Sequence, residues 1–217
     1  MDAERTDRAD LWWLPVGAGG VIVAHTSRWW ELMSAWRDHR TPLQLVHAAL
    51  EVLTGGERYV IEMTPQWGQP RTASGVVATG PVGLPALGRF RMFRYVVRAW
   101  PNGVLPDRAY AVAAPTSIPL GRTQAQGLLD TLPDVPLHTW GRAVPPSTDM
   151  WNSNSLIAWA LRRAGVDAGT LAPPAGCRAP GWAAGLAAGT RQRRGCREVA
   201  TRNLRRTAHA TDSAARH

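Results

Sequence analysis

Residues 44–63 read QLVHAALEVLTGGERYVIEM, and this stretch decides the fold. Two runs rich in Val, Leu and Ile flank the pair Gly55-Gly56. Such runs are typical of β-strands, and a glycine pair between them is typical of a tight hairpin turn. The pattern therefore predicts strands at residues 44–53 and 58–63 that pair with each other in antiparallel fashion.

The first predicted strand has one wholly apolar face, and its opposite face carries His47. Side chains alternate between the two faces of a strand, so His47 shares its face with Ala49 and Glu51. A turn at the glycine pair places Ala49 opposite Glu62, which puts Glu62 diagonal to His47 and within reach of it. A register shifted by one residue would instead place Glu62 on the apolar face.

Outside the hairpin, the same signals predict further strands and three helices. Thr123 and Gln126 have the spacing of a capping box at the start of one helix. The predicted strands begin near residue 11 and cover 21–24, 76–79, 90–100 and 109–113, and the predicted helices cover 27–38, 123–132 and 153–164. We expect one α+β domain over residues 1–188, with an antiparallel sheet of about five strands packed on helices.

The basic residues are unevenly distributed along the chain. All 25 of them are arginines, against 16 acidic residues. Residues 189–217 hold eight arginines against Glu198 and Asp212, and they show no apolar periodicity. Such a segment cannot bury enough apolar surface to fold, so the sequence predicts a disordered Arg-rich tail. The remaining domain has an ordinary charge, which does not indicate a nucleic-acid partner.

Cysteine usage and the N-terminal sequence restrict the compartment and the cofactors. The chain has two cysteines, Cys177 and Cys196, and neither has a partner at metal-ligand spacing. This argues against a disulfide framework and a metal site, and we expect no cofactor. Acids are frequent in the first ten residues, and Pro and Gly interrupt the uncharged stretch at 11–27. We therefore expect no signal peptide, no transmembrane helix, no membrane partner and a cytoplasmic location.

Four small polar residues, Asn152-Ser153-Asn154-Ser155, stand at the start of the last predicted helix. Asn and Ser are preferred at helix N-caps, so one interpretation is capping. The other is a nucleophile at a helix N-terminus, where free backbone N–H groups and the helix dipole stabilise developing negative charge. Spacing alone favours the cap and leaves the second interpretation open.

The sequence Asn-Ser-Asn-Ser-Leu-Ile-Ala-Trp at 152–159 resembles the Asn-Ser-Asn-Thr-Phe-x-Ala-Trp signature of an uncharacterised bacterial domain family. The run FRYVVRAW at 93–100, Trp140, and the segments at 172–174 and 181–182 follow the same order as in that family. The family is itself similar to circularly permuted papain-like (NlpC-type) hydrolases. Those enzymes carry a catalytic His on an early strand and a Cys nucleophile at the start of a late helix.

This resemblance implies a site with His47 as the general base and Ser153 at the nucleophile position. Glu62 would orient His47, and Asn152 and Asn154 would supply oxyanion donors or support the helix. A serine hydroxyl, unlike a cysteine thiol, needs its base to take the proton during attack. Two functions follow. One is a degenerate, non-catalytic module that binds a small-molecule or peptide ligand. The other is a Ser/His hydrolase or acyltransferase acting on amide or ester bonds in peptides or cell-wall fragments.

Overall fold

The computed structural model describes residues 7–17, 31–67, 75–105 and 107–192. The strands are β1 (Arg8–Pro15), β2 (Gln44–Thr54), β3 (Glu57–Pro65), β4 (Val76–Pro81), β5 (Arg94–Pro101), β6 (Thr116–Pro119) and β7 (Cys177–Arg178). The helices are α1 (31–37), α2 (Arg122–Asp130), α3 (Ser153–Arg163) and α4 (182–192). The α+β class and the antiparallel sheet are as predicted. The predicted strand at 21–24 and the first residues of the predicted helix at 27–38 lie outside the described residues.

Six strands form one antiparallel ladder in the order β4-β5-β3-β2-β1-β6. The short β7 lies off this ladder and pairs in parallel with the start of β2. The central hairpin has the predicted register, since Leu50 pairs with Ile61. Gly55 and Gly56 both have positive φ at its turn, a conformation that glycine adopts without steric cost.

The sheet buries one face against helices and the other face beneath a loop. Val46, Ala48 and Leu50 of β2 belong to the main core, together with Leu156 and Trp159 of α3. The opposite face forms a smaller core from Trp12, Leu14, Ala49, Val60 and Leu105. Because successive residues of β2 enter different cores, this strand is buried on both sides. Within the described ranges, no helix combines the length and the hydropathy needed to cross a membrane.

The strand predicted at residues 109–113 is wrong. These residues form bends and part of a 3-10 turn at Arg108–Tyr110, and the strand that pairs with β1 is β6, later in the chain. The run 109–113 is mostly alanine, which has a low strand propensity. Its contact with the sheet includes a hydrogen bond from the Val112 N–H to the Trp13 carbonyl oxygen at 3.1 Å.

Two predicted boundaries also need correction. β5 begins at Arg94 rather than at residue 90, because 3-10 turns at Pro85–Arg89 and Arg91–Phe93 bend the chain away from the sheet. The capping box at Thr123 does not form. The N-cap of α2 is Gly121, so Thr123 already lies inside the first helical turn.

The C-terminal end of the folded part lies later than predicted. Ala184 and Ala188 of α4 are buried, and a Cβ at Gly185 would lie 2.1 Å from the Ser155 carbonyl oxygen. Small residues therefore let α4 pack closely against α3. The helix continues to residue 192, so the predicted start of disorder at 189 is wrong for residues 189–192. The remainder of the predicted tail, residues 193–217, lies outside the described residues.

Gln192 provides a test of this corrected boundary. Its side chain accepts a hydrogen bond from the indole N–H of the buried Trp159 at 2.8 Å. We expect Gln192→Ala to lower the free energy of unfolding by about 1–3 kcal/mol, because the indole N–H loses its acceptor. The control Arg191→Ala, at an exposed neighbouring position, should change it by less than about 0.5 kcal/mol. Urea unfolding of the full chain measures both, and equal values would show that α4 does not extend to Gln192.

Candidate functional site

Asn152 is the N-cap of α3. Its Oδ1 accepts hydrogen bonds from the backbone N–H groups of Asn154 at 2.9 Å and Ser155 at 3.3 Å. Ser155 Oγ in turn accepts the backbone N–H of Asn152 at 3.1 Å, which completes a capping box. Three backbone N–H groups that a helix start leaves unpaired are thereby satisfied, as the capping interpretation requires.

The Asn154 side chain joins α3 to the sheet. Its Oδ1 accepts the backbone N–H of Ala48 at 2.6 Å, and its Nδ2 donates to the Val46 carbonyl oxygen at 3.1 Å. Both groups lie on the edge of β2 that faces β3, whose pairing with β2 begins at Leu50. A carboxamide has one donor group and one acceptor group, as a peptide group does. The Asn154 side chain therefore makes the hydrogen bonds to β2 that a further residue of β3 would otherwise make.

The same motif holds the turn at residues 180–181 against the helix start. The Pro180 carbonyl oxygen accepts hydrogen bonds from Asn152 Nδ2 at 2.9 Å and Asn154 Nδ2 at 2.7 Å. Ser155 Oγ donates to the Gly181 carbonyl oxygen at 2.7 Å. Gly181 has φ +93°, and a Cβ there would lie 2.2 Å from Asn152 Oδ1, so the turn requires glycine.

Ser153 differs from its three neighbours in the motif. It is 6% exposed, and its hydroxyl makes no hydrogen bond to any group in the described part of the chain. It occupies the first helical position, where a backbone N–H has no partner within the helix. The hydroxyl is therefore not part of the network that fixes the helix start.

His47 lies on the face of β2 away from α3. It pairs with Leu14 of β1, which belongs to the smaller core, while Val46 and Ala48 on either side of it belong to the main core. The helix that carries Ser153 packs on that main core. Among the described residues, no hydrogen bond joins His47 to Ser153. The structure thus places the two predicted catalytic residues on elements that meet through β2, without joining their side chains.

The Asp107 carboxylate acts electrostatically on both His47 and Glu62. Burial lowers the pKa of His47, and the Asp107 carboxylate acts in the opposite direction. Burial also raises the pKa of Glu62, with Arg98 Nη1 at 3.7 Å from Glu62 Oε1 lowering it and Asp107 raising it. Asp107 therefore stands near both groups. It was not foreseen from the sequence, because it comes from a loop after β5 that carries no local signal for its position.

Glu51 is a second buried acid on this face. Trp12 Nε1 donates to Glu51 Oε2 at 3.0 Å, and Arg108 Nη1 lies 3.8 Å from Glu51 Oε1. The Arg108 guanidinium also lies 4.6 Å from the centre of the Trp12 ring. These contacts fasten the loop to the sheet. Across the described ranges, no group of three or more His, Cys, Asp or Glu side chains is arranged to hold a metal ion.

Comparison of the chain with protein-family models, with curated proteins and with solved structures gave no match. The resemblance to permuted papain-like hydrolases therefore stays a prediction. In the geometry of the site, the helix-start motif and the His47 face are two separate groups of residues.

The role of Asn154 can be tested by removing its carboxamide. Asn154→Ala leaves the Val46 carbonyl and the Ala48 N–H without this partner and removes one of the two hydrogen bonds to the Pro180 carbonyl oxygen. We expect the free energy of unfolding to fall by about 2–4 kcal/mol. Ser153→Ala is the matched control in the same helical turn and should cost less than about 1 kcal/mol, since the Ser153 hydroxyl has no bond to lose. Urea unfolding followed by circular dichroism measures both. Similar losses in the two variants would contradict the role of Asn154.

The partly buried His47 makes stability depend on pH. Its pKa in the folded state lies below its ordinary value of 6.5, so the unfolded chain takes up the proton first as the pH falls. We expect the free energy of unfolding to decrease below about pH 6.5, with a slope of at most about 1.4 kcal/mol per pH unit from this group.

The variant His47→Gln should reduce the fall in the free energy of unfolding below pH 6.5.

Glu62 affects the pH dependence of stability in the opposite direction. Its pKa is raised in the folded state, so its burial lowers the free energy of unfolding as the pH rises above its ordinary value of 4.5. Glu62→Gln should therefore stabilise the protein at pH 7 and leave the decrease below pH 6.5 in place. Urea unfolding at pH 5.5, 6.5 and 7.5 is the measurement. An unchanged slope in His47→Gln would contradict the assignment.

Proposed function

We propose that the chain is a non-catalytic binding module of permuted papain-like architecture, in which the Asn-Ser-Asn-Ser motif is structural. The observation that carries the proposal is the network around Asn152, Asn154 and Ser155. All three side chains are committed to the helix cap, to β2 or to the turn at 180–181.

Acyl transfer by a serine requires a base within hydrogen-bonding reach and donors aimed at the developing oxyanion. Both amide hydrogens of Asn154 are donated to carbonyl oxygens, so this side chain has none left for an oxyanion. Asn152 uses its oxygen for the cap and donates from its amide to Pro180. His47 lies on the face of β2 away from α3. Asn152 and Asn154 are thus engaged in structural hydrogen bonds, and no hydrogen bond between described residues joins His47 to Ser153.

A Ser/His hydrolase or acyltransferase acting on amide or ester bonds is the second candidate. One observation favours it: the Ser153 hydroxyl is free of structural bonds among the described groups and sits at a helix N-terminus. A neutral His47, which its lowered pKa provides, is also the form that a general base needs. This function requires a rearrangement that brings the imidazole to the α3 side of β2.

Labelling with a fluorophosphonate probe separates the two candidates. We expect the full chain to remain unlabelled at Ser153, because no base in the described part of the chain is hydrogen-bonded to its hydroxyl. The controls are Ser153→Ala and His47→Ala, with the modified peptide identified by mass spectrometry. Labelling of the natural chain at Ser153 that is lost in both variants would overturn the proposal and establish the hydrolase.

A cysteine substitution extends this experiment. In Ser153→Cys the new thiol should react with iodoacetamide no faster than an ordinary buried thiol. Among the residues that the structure describes, no cationic side chain is bonded to Ser153 that could stabilise a thiolate there. Mass spectrometry distinguishes the new site from Cys177 and Cys196. A fast-reacting thiol at 153 that slows in the double variant with His47→Ala would show that His47 reaches this position.

A further inference from the structure

One end of the sheet carries large apolar side chains in contact with solvent. We call these four residues, Trp67, Leu84, Phe90 and Met92, the end patch; their exposed fractions lie between 47% and 64%. They stand where β3 and β4 end and β5 begins, since Pro65 pairs with Tyr95 and Pro81 with Arg94. A cluster of such residues is typical of an interaction surface, whereas single exposed apolar residues are common on any protein.

The fold holds the end patch on two short turns rather than in the core. Leu84 immediately precedes the 3-10 turn Pro85–Arg89, Phe90 links the two turns, and Met92 lies in the turn Arg91–Phe93. No residue of either turn is buried. The backbone N–H of Gln66 donates to the Arg94 carbonyl oxygen at 2.8 Å, which brings the Trp67 segment to the base of the second turn.

The charged residues of the two turns are both arginines, Arg89 and Arg91. The Arg89 guanidinium lies 4.8 Å from the centre of the Phe90 ring, so a positive charge is placed directly beside the apolar surface. Arg142 adds another from a distant part of the chain, because its Nε donates to the Gly83 carbonyl oxygen at 2.7 Å.

We infer that the end patch is the docking surface of this binding module, and that its partner is an acidic amphipathic segment of another protein. The inference rests on the proposed function and names its partner class. Apolar side chains of the segment would cover Phe90 and Met92, and its carboxylates would pair with the arginines. Aromatic residues, Met and Arg are the residue types enriched at protein interfaces, and Met adapts to partners of different shape.

An anionic lipid surface is the other partner that apolar and basic residues can serve. Recognition of anionic lipids usually relies on clusters of about four to eight basic residues. The arginines placed at the turns of the end patch are fewer, and Arg89 lies against Phe90 rather than extending away from it. Charge and composition therefore favour a protein segment.

The test uses a fluorescein-labelled peptide of about 18 residues, built from Leu and Glu so that one helical face is apolar. Its control carries Lys in place of Glu. We expect the full-length chain to bind the Leu/Glu peptide at least about tenfold more tightly than the Leu/Lys peptide by fluorescence anisotropy. The double variant Phe90→Ser/Met92→Ser should weaken this binding by about tenfold or more.

A matched variant separates the end patch from the rest of the surface. Val104 and Tyr110 are 71% and 61% exposed and lie outside the patch, so Val104→Ser/Tyr110→Ser should leave the affinity unchanged. Equal binding by the natural chain and Phe90→Ser/Met92→Ser would overturn the inference, because the Arg-rich C-terminal sequence would then account for the attraction. Absence of binding to the Leu/Glu peptide would overturn it as well.

Vesicles of phosphatidylcholine with and without phosphatidylglycerol provide the remaining comparison. Binding to the anionic vesicles that depends on Phe90 and Met92, without binding to the peptide, would assign the patch to lipid and overturn the inference. The proposed function is tested separately by the labelling of Ser153. Failure of peptide binding with an unlabelled Ser153 would therefore remove the partner and leave the non-catalytic module standing.

Discussion

The carboxamide of Asn154 connects three parts of the chain that are distant in sequence: α3, β2 and the turn at Pro180. Its oxygen accepts the Ala48 N–H, and its nitrogen donates to the carbonyl oxygens of Val46 and Pro180. Each of these backbone groups would be costly to leave buried without a partner. Asn154 pairs the two β2 groups and shares the Pro180 carbonyl oxygen with Asn152, so it adds a polar anchor to the apolar packing of α3 on β2.

The opposite face of the sheet follows a different principle. There the contacts are between charges and rings, with Trp12 bonded to Glu51 and Arg108 stacked on Trp12. His47 and Glu62 share that face and are both shifted toward their neutral forms by burial. The two sides of β2 therefore differ in their chemical groups. Hydrogen-bonded amides and carbonyls lie on the α3 side, and the titratable side chains of His47 and Glu62 lie on the other. A reaction that used Ser153 together with His47 would need groups from opposite sides of β2.

Local signals predicted the parts of the fold whose causes are local. The hairpin register follows from the glycine pair and the apolar alternation, and α3 follows from its cap and its apolar residues. α4 was missed because its buried face consists of small residues, Ala184, Gly185 and Ala188, which show no apolar stripe in the sequence. The four-residue β6 was missed because it depends on its pairing with β1, which no local pattern in the sequence indicates.

The candidate site was predicted less well than the fold. The sequence indicated that Asn152, Asn154 and Ser155 were unusual, and it correctly offered capping as one interpretation. It did not show that their other partners would be carbonyl oxygens, because every residue has one and none is marked in the sequence. Asp107 was equally hidden, since its place beside His47 depends on the path of a loop.

The dependence on Asn154 also has a consequence for the chemical ageing of the protein. Asparagine side chains lose ammonia when the backbone nitrogen of the following residue attacks the carboxamide carbon and closes a succinimide ring. Water then opens this ring to aspartate or isoaspartate, and the resulting carboxylate can donate to neither Val46 nor Pro180. In this chain the following nitrogen belongs to Ser155, and its N–H is held by Asn152 Oδ1 at 3.3 Å within a helical turn. The hydrogen bond to Asn152 thus restrains the Ser155 nitrogen from attacking the Asn154 carboxamide. The same network that depends on this carboxamide therefore slows its deamidation.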